Sequence, residues 1–549
     1  QTFAIYIIMC VVASAHVAAQ QTVSLSLSQA EQRQADFMST GSRIDRETFA
    51  ANPAWLATRQ FAADTAMLQG MVYAGLSASD SEGDFMPFEG TGATDWRIGA
   101  SGTYVTPKSG TIAGSIQYAR GKHRNIGWSA MRMPDLYLPY ISTDSCGGDF
   151  KFDSYYAEGA YALSLDTWTI GARASFYGEQ AWRLTDPRAL NNTTWLRFTA
   201  GATKLLGRHM VMLNMGYGRN KQHEQLRYWR PGQQDRFFVC YGFGLYDTRQ
   251  SGVSFGKSRM FYVDEFTARL QYLSPEGKAF QLHASLGYTH HAMETEESDI
   301  YNLYESRTNT IEPMLMLTWR PDARWTLSLC AEGSMQSRKG FENIIEEYLA
   351  NVDYNSYDFR TIDSQQNYTR DINRFNTTVS LSRQFKQLKL TLNAGLTVDG
   401  YLEKYLGGVY SIKVNTSTHN IGMEADWQAG RRDRVGASLR YGKRTVGAHH
   451  YNVVMQNTKV KHLDFQQAFA PYAYRAADLT QFVLMLSWEH QFGKLTAGMN
   501  ASFYSAAGER LSDVAYTGTI GYPSTAPMLS VMPDLHDEKR GDLTVYVKF

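Results

Sequence analysis

Beyond its amino-terminal leader, the 549-residue chain has no run of about 18 apolar residues, so spanning helices are excluded. It is also poor in cysteine. Of four, Cys10 lies in the leader, and the remaining Cys146, Cys240 and Cys330 allow at most one intramolecular disulfide. There is no CxxC and no Cys/His cluster with zinc spacing. A formal charge of +1 argues against a nucleic-acid partner. Proline is sparse at 14, whereas 45 Gly, 34 Tyr and 13 % aromatic residues form the profile of a chain built from many strands. Lack of spanning helices leaves a membrane barrel open, because barrel strands alternate and signal weakly one by one.

The leader reads as an export signal. Phe3 to Ala15 is apolar, and Val17-Ala18-Ala19 before Gln20 fits the small-residue cleavage rule, giving a signal peptide over 1–19. Met9 is too large for the position before a lipidated Cys10.

Several segments alternate with period two. Phe280, Leu282, Ala284, Leu286 and Tyr288 oppose Gln281, His283, Ser285, Gly287 and Thr289. Leu388 to Val398, Trp325 to Ala331 and Phe482 to Trp488 do the same. One apolar and one polar face is the signature of a half-buried strand, and an apolar outside with a polar inside is what a lipid-embedded barrel needs. The chain ends on such a strand: Leu543, Val545, Val547 and Phe549 share one face, Thr544, Tyr546 and Lys548 the other. It resembles the terminal aromatic strand recognised by bacterial outer-membrane assembly machinery.

The connectors are asymmetric. Tight links fall at 106–110, 165–167, 207–208, 274–278, 320–324, 385–387, 429–433 and 492–494. Long polar loops are expected near 79–94, 122–152, 178–194, 220–259, 292–306, 336–368, 400–416, 446–477 and 505–538. Short turns on one rim and long loops on the other describe periplasmic and extracellular sides, and the count gives roughly 18 strands, within a range of about 16–20. The expected fold is therefore all-β, a transmembrane antiparallel barrel over 67–549. Its last strand closes on the first, with Tyr546 and Lys548 inward. Trp168, Trp319, Trp325, Trp427 and Trp488 lie near the short turns, as an aromatic girdle would. Residues 20–66 do not read as barrel. Asn52-Pro53-Ala54-Trp55 breaks the chain before the first strand, so this region is a periplasmic extension or a lumen plug, the inserted plug being favoured.

Odd-even bookkeeping points Arg97, Glu158, Arg173, Glu265, Arg269, His283, Glu332, Lys389, Asp399, Arg440 and Glu489 into the lumen, with Glu424 and Asp426. A channel lined by charge rings is one reading. Mixed signs favour the other, mutual pairing of buried charges. Three loop segments stand out. Pro139 to Asp149, with Tyr140 and Asp144, combines turn residues with acidic oxygens but matches no calcium loop. Asp186-Pro187-Arg188-Ala189-Leu190-Asn191 is rigid and locally hydrogen-bonding, through Asp186, Arg188 and Asn191. Arg219 to Arg236 interleaves arginines with Tyr228 and Trp229. The paired histidines His290-His291 and His449-His450, with Asp299 or Asp464 to orient them, lack a nucleophile elbow or HExxH. No catalytic residue, metal or cofactor is expected.

Asn52-Pro53-Ala54-Trp55, Pro139 to Gly148 and Asp186 to Asn191, with the Gln after the cleavage site, together resemble an uncharacterised outer-membrane β-barrel family of Bacteroidota. Asn-Pro-Ala is also similar to the hatch tripeptide of fatty-acid-transporter-type barrels, which have fewer strands. The first resemblance implies proximity to TonB-dependent uptake systems and surface lipoproteins. The expected function is uptake or passage of a small solute or nutrient across the bacterial outer membrane, in contact with its lipid and lipopolysaccharide. The alternative is a non-conducting scaffold docking a surface lipoprotein or a TonB-dependent or secretion assembly.

Overall fold

The computed structural model describes residues 52–57, 67–83, 87–106, 109–144, 146–229, 237–247, 258–275, 279–297, 302–351, 356–452, 461–463, 471–509 and 537–549. The expected signal peptide and most of 20–66 lie outside them. The strands are β1 (Met67–Glu82), β2 (Gly92–Thr106), β3 (Gly110–Ile126), β4 (Ser142–Asp144), β5 (Gly148–Leu165), β6 (Trp168–Arg183), β7 (Arg188–Leu206) and β8 (His209–Arg227). There follow β9 (Phe237–Cys240), β10 (Leu245–Asp247), β11 (Ser258–Leu273), β12 (Phe280–Glu297), β13 (Tyr304–Trp319), β14 (Trp325–Asn351) and β15 (Ser356–Gln384). The last are β16 (Leu388–Tyr405), β17 (Tyr410–Gln428), β18 (Asp433–Asn452), β19 (Lys461–Leu463), β20 (Asp478–Phe492), β21 (Leu495–Glu509) and β22 (Asp537–Lys548).

Eighteen of these form one antiparallel sheet, each strand pairing with the next in the wall, and β22 pairs back onto β1. The sheet is closed, which removes every unpaired edge from the bilayer. All eight short links fall between wall strands where their turn residues put them. Leu68, Val72, Leu76, Ile98, Ile116, Leu213 and Met215 are exposed on the outside, and between them Tyr73, Arg97 and Asn214 are buried inside. Trp168, Trp319, Trp427 and Trp488 are exposed near the short turns. Eighteen antiparallel strands, an apolar outer face, a polar inner face and an aromatic ring at the short-turn rim define a bacterial outer-membrane barrel.

Three expected loops are largely strand. The links at 178–194, 336–368 and 400–416 shrink to 184–187, 352–355 and 406–409, because β6, β7 and β14 to β17 continue past the expected ends. Above the lipid both faces of a strand meet water or protein, so the apolar alternation that marks the wall fades while pairing continues.

Candidate functional site

The outer half of the lumen is filled by the chain's own loops. β4, from the β3–β5 loop, pairs with β9; β10 pairs with β9 and with β19, from the β18–β20 loop. This small sheet has an apolar core shared with the wall: Tyr140, Val239, Cys240, Tyr241 and Tyr472 pack against Tyr156, Phe261, Tyr304, Tyr368, Tyr405 and Tyr451. Tyr140 stacks on Tyr304 at 4.7 Å between centroids.

Two wall arginines hold helical turns of these loops by their carbonyl oxygens. Arg338 donates to the carbonyls of Asp135 and Leu138, at 2.7 and 3.0 Å, at the turn α1 (Pro134–Tyr137). Arg444 donates to those of Tyr474 and Ala477, at 2.7 and 2.8 Å, behind the turn at 471–475. Each turn presents a charge inward. Burial raises the Asp135 carboxyl, but Arg370, Arg338 and Arg475 outweigh it and hold it below its ordinary range. Arg475 lies over the Tyr401 ring at 4.1 Å.

The loop candidates serve this packing. Asp144 is fully buried, bridging the N–H groups of Cys146 and Gly147 to Arg183 at 2.6 Å. That leaves little of it for the calcium considered from sequence. Asp186 accepts from Arg188 at 3.0 Å and from the Trp229 N–H, and the Arg188 guanidinium sits 4.9 Å from the Trp229 ring. Asn191 donates to the Ala130 carbonyl and accepts from Gln222. Arg219 to Arg227 belongs to β8 rather than to a free loop, with Asn220, Gln222 and Glu224 buried inside; residues 230–236 lie outside the described ones.

Below the loops, the lumen-facing charges meet one another. Arg97 pairs with Asp95 and Asp542, across the closing seam. Glu158 pairs with Arg173 and accepts the Tyr156 hydroxyl. Glu265 sits between Arg197 and His291, at 2.9 Å from each. Arg269 pairs with Glu312, Asp399 with Arg374, Arg440 with Glu424 and Asp426 with Arg434. Glu332 accepts from Asn376, and Glu489 from Tyr546 and Lys548. Lys389 is exposed at the foot of β16. His283 is fully buried on the inner face. Most of these charges are thus met by a partner, and among the described residues they form no single-sign ring.

Sequence reasoning missed the buried pairs Arg132–Glu179 and Arg259–Glu297, and the clamps Arg338 and Arg444. Several lay in stretches expected to be solvated loops, where charge is the rule. His290 bonds Asn309, and His450 bonds Ser411. Asp299 and Asp464 lie outside the described residues. Among the described residues no group of three or more His, Cys, Asp and Glu could hold a metal ion.

At the periplasmic end, a turn over Pro53–Ala57 lies against the inner wall, with Trp55 and Leu56 in one apolar cluster that runs along it through Val105, Ala162, Met210, Met212, Met316 and Cys330. Asn52 donates to the carbonyls of Ala202 and Leu213, both at 3.3 Å. Gly171 and Gly201 make room. A Cβ at Gly201 would meet the Asn52 side chain at 2.0 Å, and one at Gly171 the Ala54 nitrogen at 2.6 Å.

The wall and the filled lumen place the chain among large outer-membrane barrels with internally folded loops. A model described as a family of unknown function (DUF6850) matches residues 60–524, and the chain belongs to that family. No curated protein matches it. Among solved structures it is similar to the copper transporter OprC, with 10 % identity, TM-score 0.39, and 88 % of this chain and 81 % of that one covered. The ferric yersiniabactin uptake receptor FyuA from Yersinia pestis gives 9 %, 0.41, and 89 % and 81 %. The ferric citrate transporter FecA gives 11 %, 0.40, and 86 % and 78 %. At these values the likeness fixes neither cargo nor mechanism. The 18-stranded wall departs from the smaller fatty-acid-transporter-type barrels that share Asn-Pro-Ala.

Proposed function

We propose that this protein passes or takes up a small solute across the outer membrane, through a lumen that its own chain occupies at both ends. The observation that supports this reading is the difference between the two ends of the lumen. The outer one is an apolar core with buried ion pairs. At the periplasmic end the described residues 52–57 lie on the inner wall through Asn52, Trp55 and Leu56, a short segment that we take to leave and return. The paired charges between them offer a wet, polar path to a hydrophilic solute. No enzymatic step is assigned. Single-channel recording in planar bilayers, with the full chain and with residues 20–66 removed, tests it: conductance rises on removal, and silence in both forms sinks the reading.

One observation favours the second reading, a docking scaffold. β13 reaches β14 only as far as the Tyr304–Glu342 pair, and β16 leaves β15 at Tyr368. Above these points 344–351 and 356–367 form a two-stranded ribbon that pairs with no further strand among the described residues, with Ile345 and Phe359 packed on the core below. Ile344, Tyr348, Leu349, Tyr357 and Ile362 are exposed on it. An isolated hairpin is marginal in water and its edges are templates for another chain. A photo-crosslinker at Ile362 in cells should capture a surface lipoprotein or receptor; capture of lipopolysaccharide alone counts against docking.

A further inference from the structure

Three neighbouring strands bring together side chains that no sequence spacing relates. In the antiparallel register His283 on β12 faces Met316 on β13, and Met316 faces Cys330 on β14. All three point inward, since Leu315, Leu317 and Leu329 beside them are exposed on the outer face. His283 is 0 % exposed, Met316 and Cys330 4 % each. Neither ring nitrogen of His283 has a hydrogen-bond partner. A buried imidazole left that way costs about 1–3 kcal/mol per unsatisfied group, and such a group in a folded protein calls for an occupant.

The surroundings say which occupant. Met210, Met212, Leu273, Trp55 and Leu56 complete the cluster around Met316 and Cys330, with Met314 packed beside it. The nearby carboxylate on this face, Glu332 two residues along β14 from Cys330, accepts from Asn376, and one carboxylate falls short of the oxygen set that Mg²⁺ or Ca²⁺ requires. The donors on offer are an imidazole nitrogen, a thioether and a thiol. Thiolate and thioether select soft cations, Cu(I) above all. Adjacent strands are about 4.8 Å apart, so Met316 is within side-chain reach of both neighbours. His283 and Cys330 are separated by about two such spacings, on a concave wall that tilts their side chains together.

We propose that His283, Met316 and Cys330 form a binding site for a soft monovalent cation of the Cu(I) class. The ion takes one imidazole nitrogen, the Met316 sulfur and the Cys330 thiolate, and the thiol proton is released. The cluster runs along the inner wall to Trp55 and Leu56 at the periplasmic end, so the ion enters from the periplasmic mouth. Binding is a property of the wall and stands or falls independently of conductance.

The test uses the full chain in detergent and Ag(I), which matches Cu(I) in charge and softness and needs no reductant. Calorimetry should show one equivalent bound, in a form with Cys10, Cys146 and Cys240 all changed to Ser. His283→Gln, Cys330→Ser and Met316→Leu should each weaken it at least tenfold. Met316→Leu nearly conserves volume, so lost binding with unchanged heat-modifiable migration on a gel separates a missing ligand from a damaged fold. X-ray absorption should report one nitrogen and two sulfurs around the metal. No stoichiometric binding by the folded protein, or undiminished binding by His283→Gln or Met316→Leu, overturns the site.

Discussion

Gly70 and Phe549 exchange both backbone hydrogen bonds at 2.9 Å, and the Phe549 ring covers the glycine so closely that a Cβ would meet it at 2.3 Å. The seam of the barrel is thus closed at its foot by an aromatic ring lying in the gap a glycine leaves. Gly70→Leu should displace the ring and destabilise the closed wall by about 1–3 kcal/mol, the usual range for overpacking. Unfolding in lipid measures it. Adding Phe549→Ala should recover part of the loss, because the two residues touch and their effects are coupled; strictly additive effects would show that the ring does not pack there.

Asn52 ties the periplasmic-side segment to the wall. Asn52→Ala removes both bonds to the wall carbonyls, about 1–3 kcal/mol in total at typical net values. A cysteine placed at Ala57 should then react roughly tenfold or more faster with a water-soluble thiol reagent, while the wall keeps its thermal midpoint. Equal rates with and without Asn52 would mean that apolar packing alone seats the segment.

Arg338 carries the loop turn α1. Arg338→Ala strands the Asp135 and Leu138 carbonyls, and hydrogen bonds from a charged donor are worth about 1.5–3 kcal/mol each. Limited proteolysis of the intact protein should cut within 127–147, where the native form resists. The eighteen wall strands should survive digestion.

Glu89, in the β1–β2 loop, has its carboxyl raised from 4.5 to about 8 by burial first, then by Asp135 and Glu538, with Arg475 and Arg540 opposing. Between these two values the folded protein holds a proton that the unfolded chain has released, so this group makes stability fall as pH rises from about 4.5 to about 8. Glu89→Gln should therefore raise the thermal midpoint more at pH 9 than at pH 5. A gain independent of pH would place the carboxyl in water.

Much of the wall was legible because a membrane barrel obeys two local rules. Side chains alternate with period two, and short turns carry Gly, Pro, Asp and Lys. The eight turns and the inward residues Arg97, Glu158, Tyr546 and Lys548 follow from those rules alone. The loops were not legible. Tyr140, Asp144 and Asn191 read as surface features, yet each is buried, because a wide barrel gives its loops an interior to fold into.

By itself the sequence determined the compartment, the antiparallel wall, its strand number within two, and the pairing of mixed charges, all consequences of alternation and turn chemistry. Tertiary structure alone decided what fills the lumen. β4, β9, β10 and β19 come from three loops and meet only because the closed wall holds those loops over one opening. The same closure sets His283, Met316 and Cys330 side by side, although 33 and 14 residues separate them in the chain. Register between strands is fixed by turn length and hydrogen bonding across the sheet, and that information is not local to any one segment.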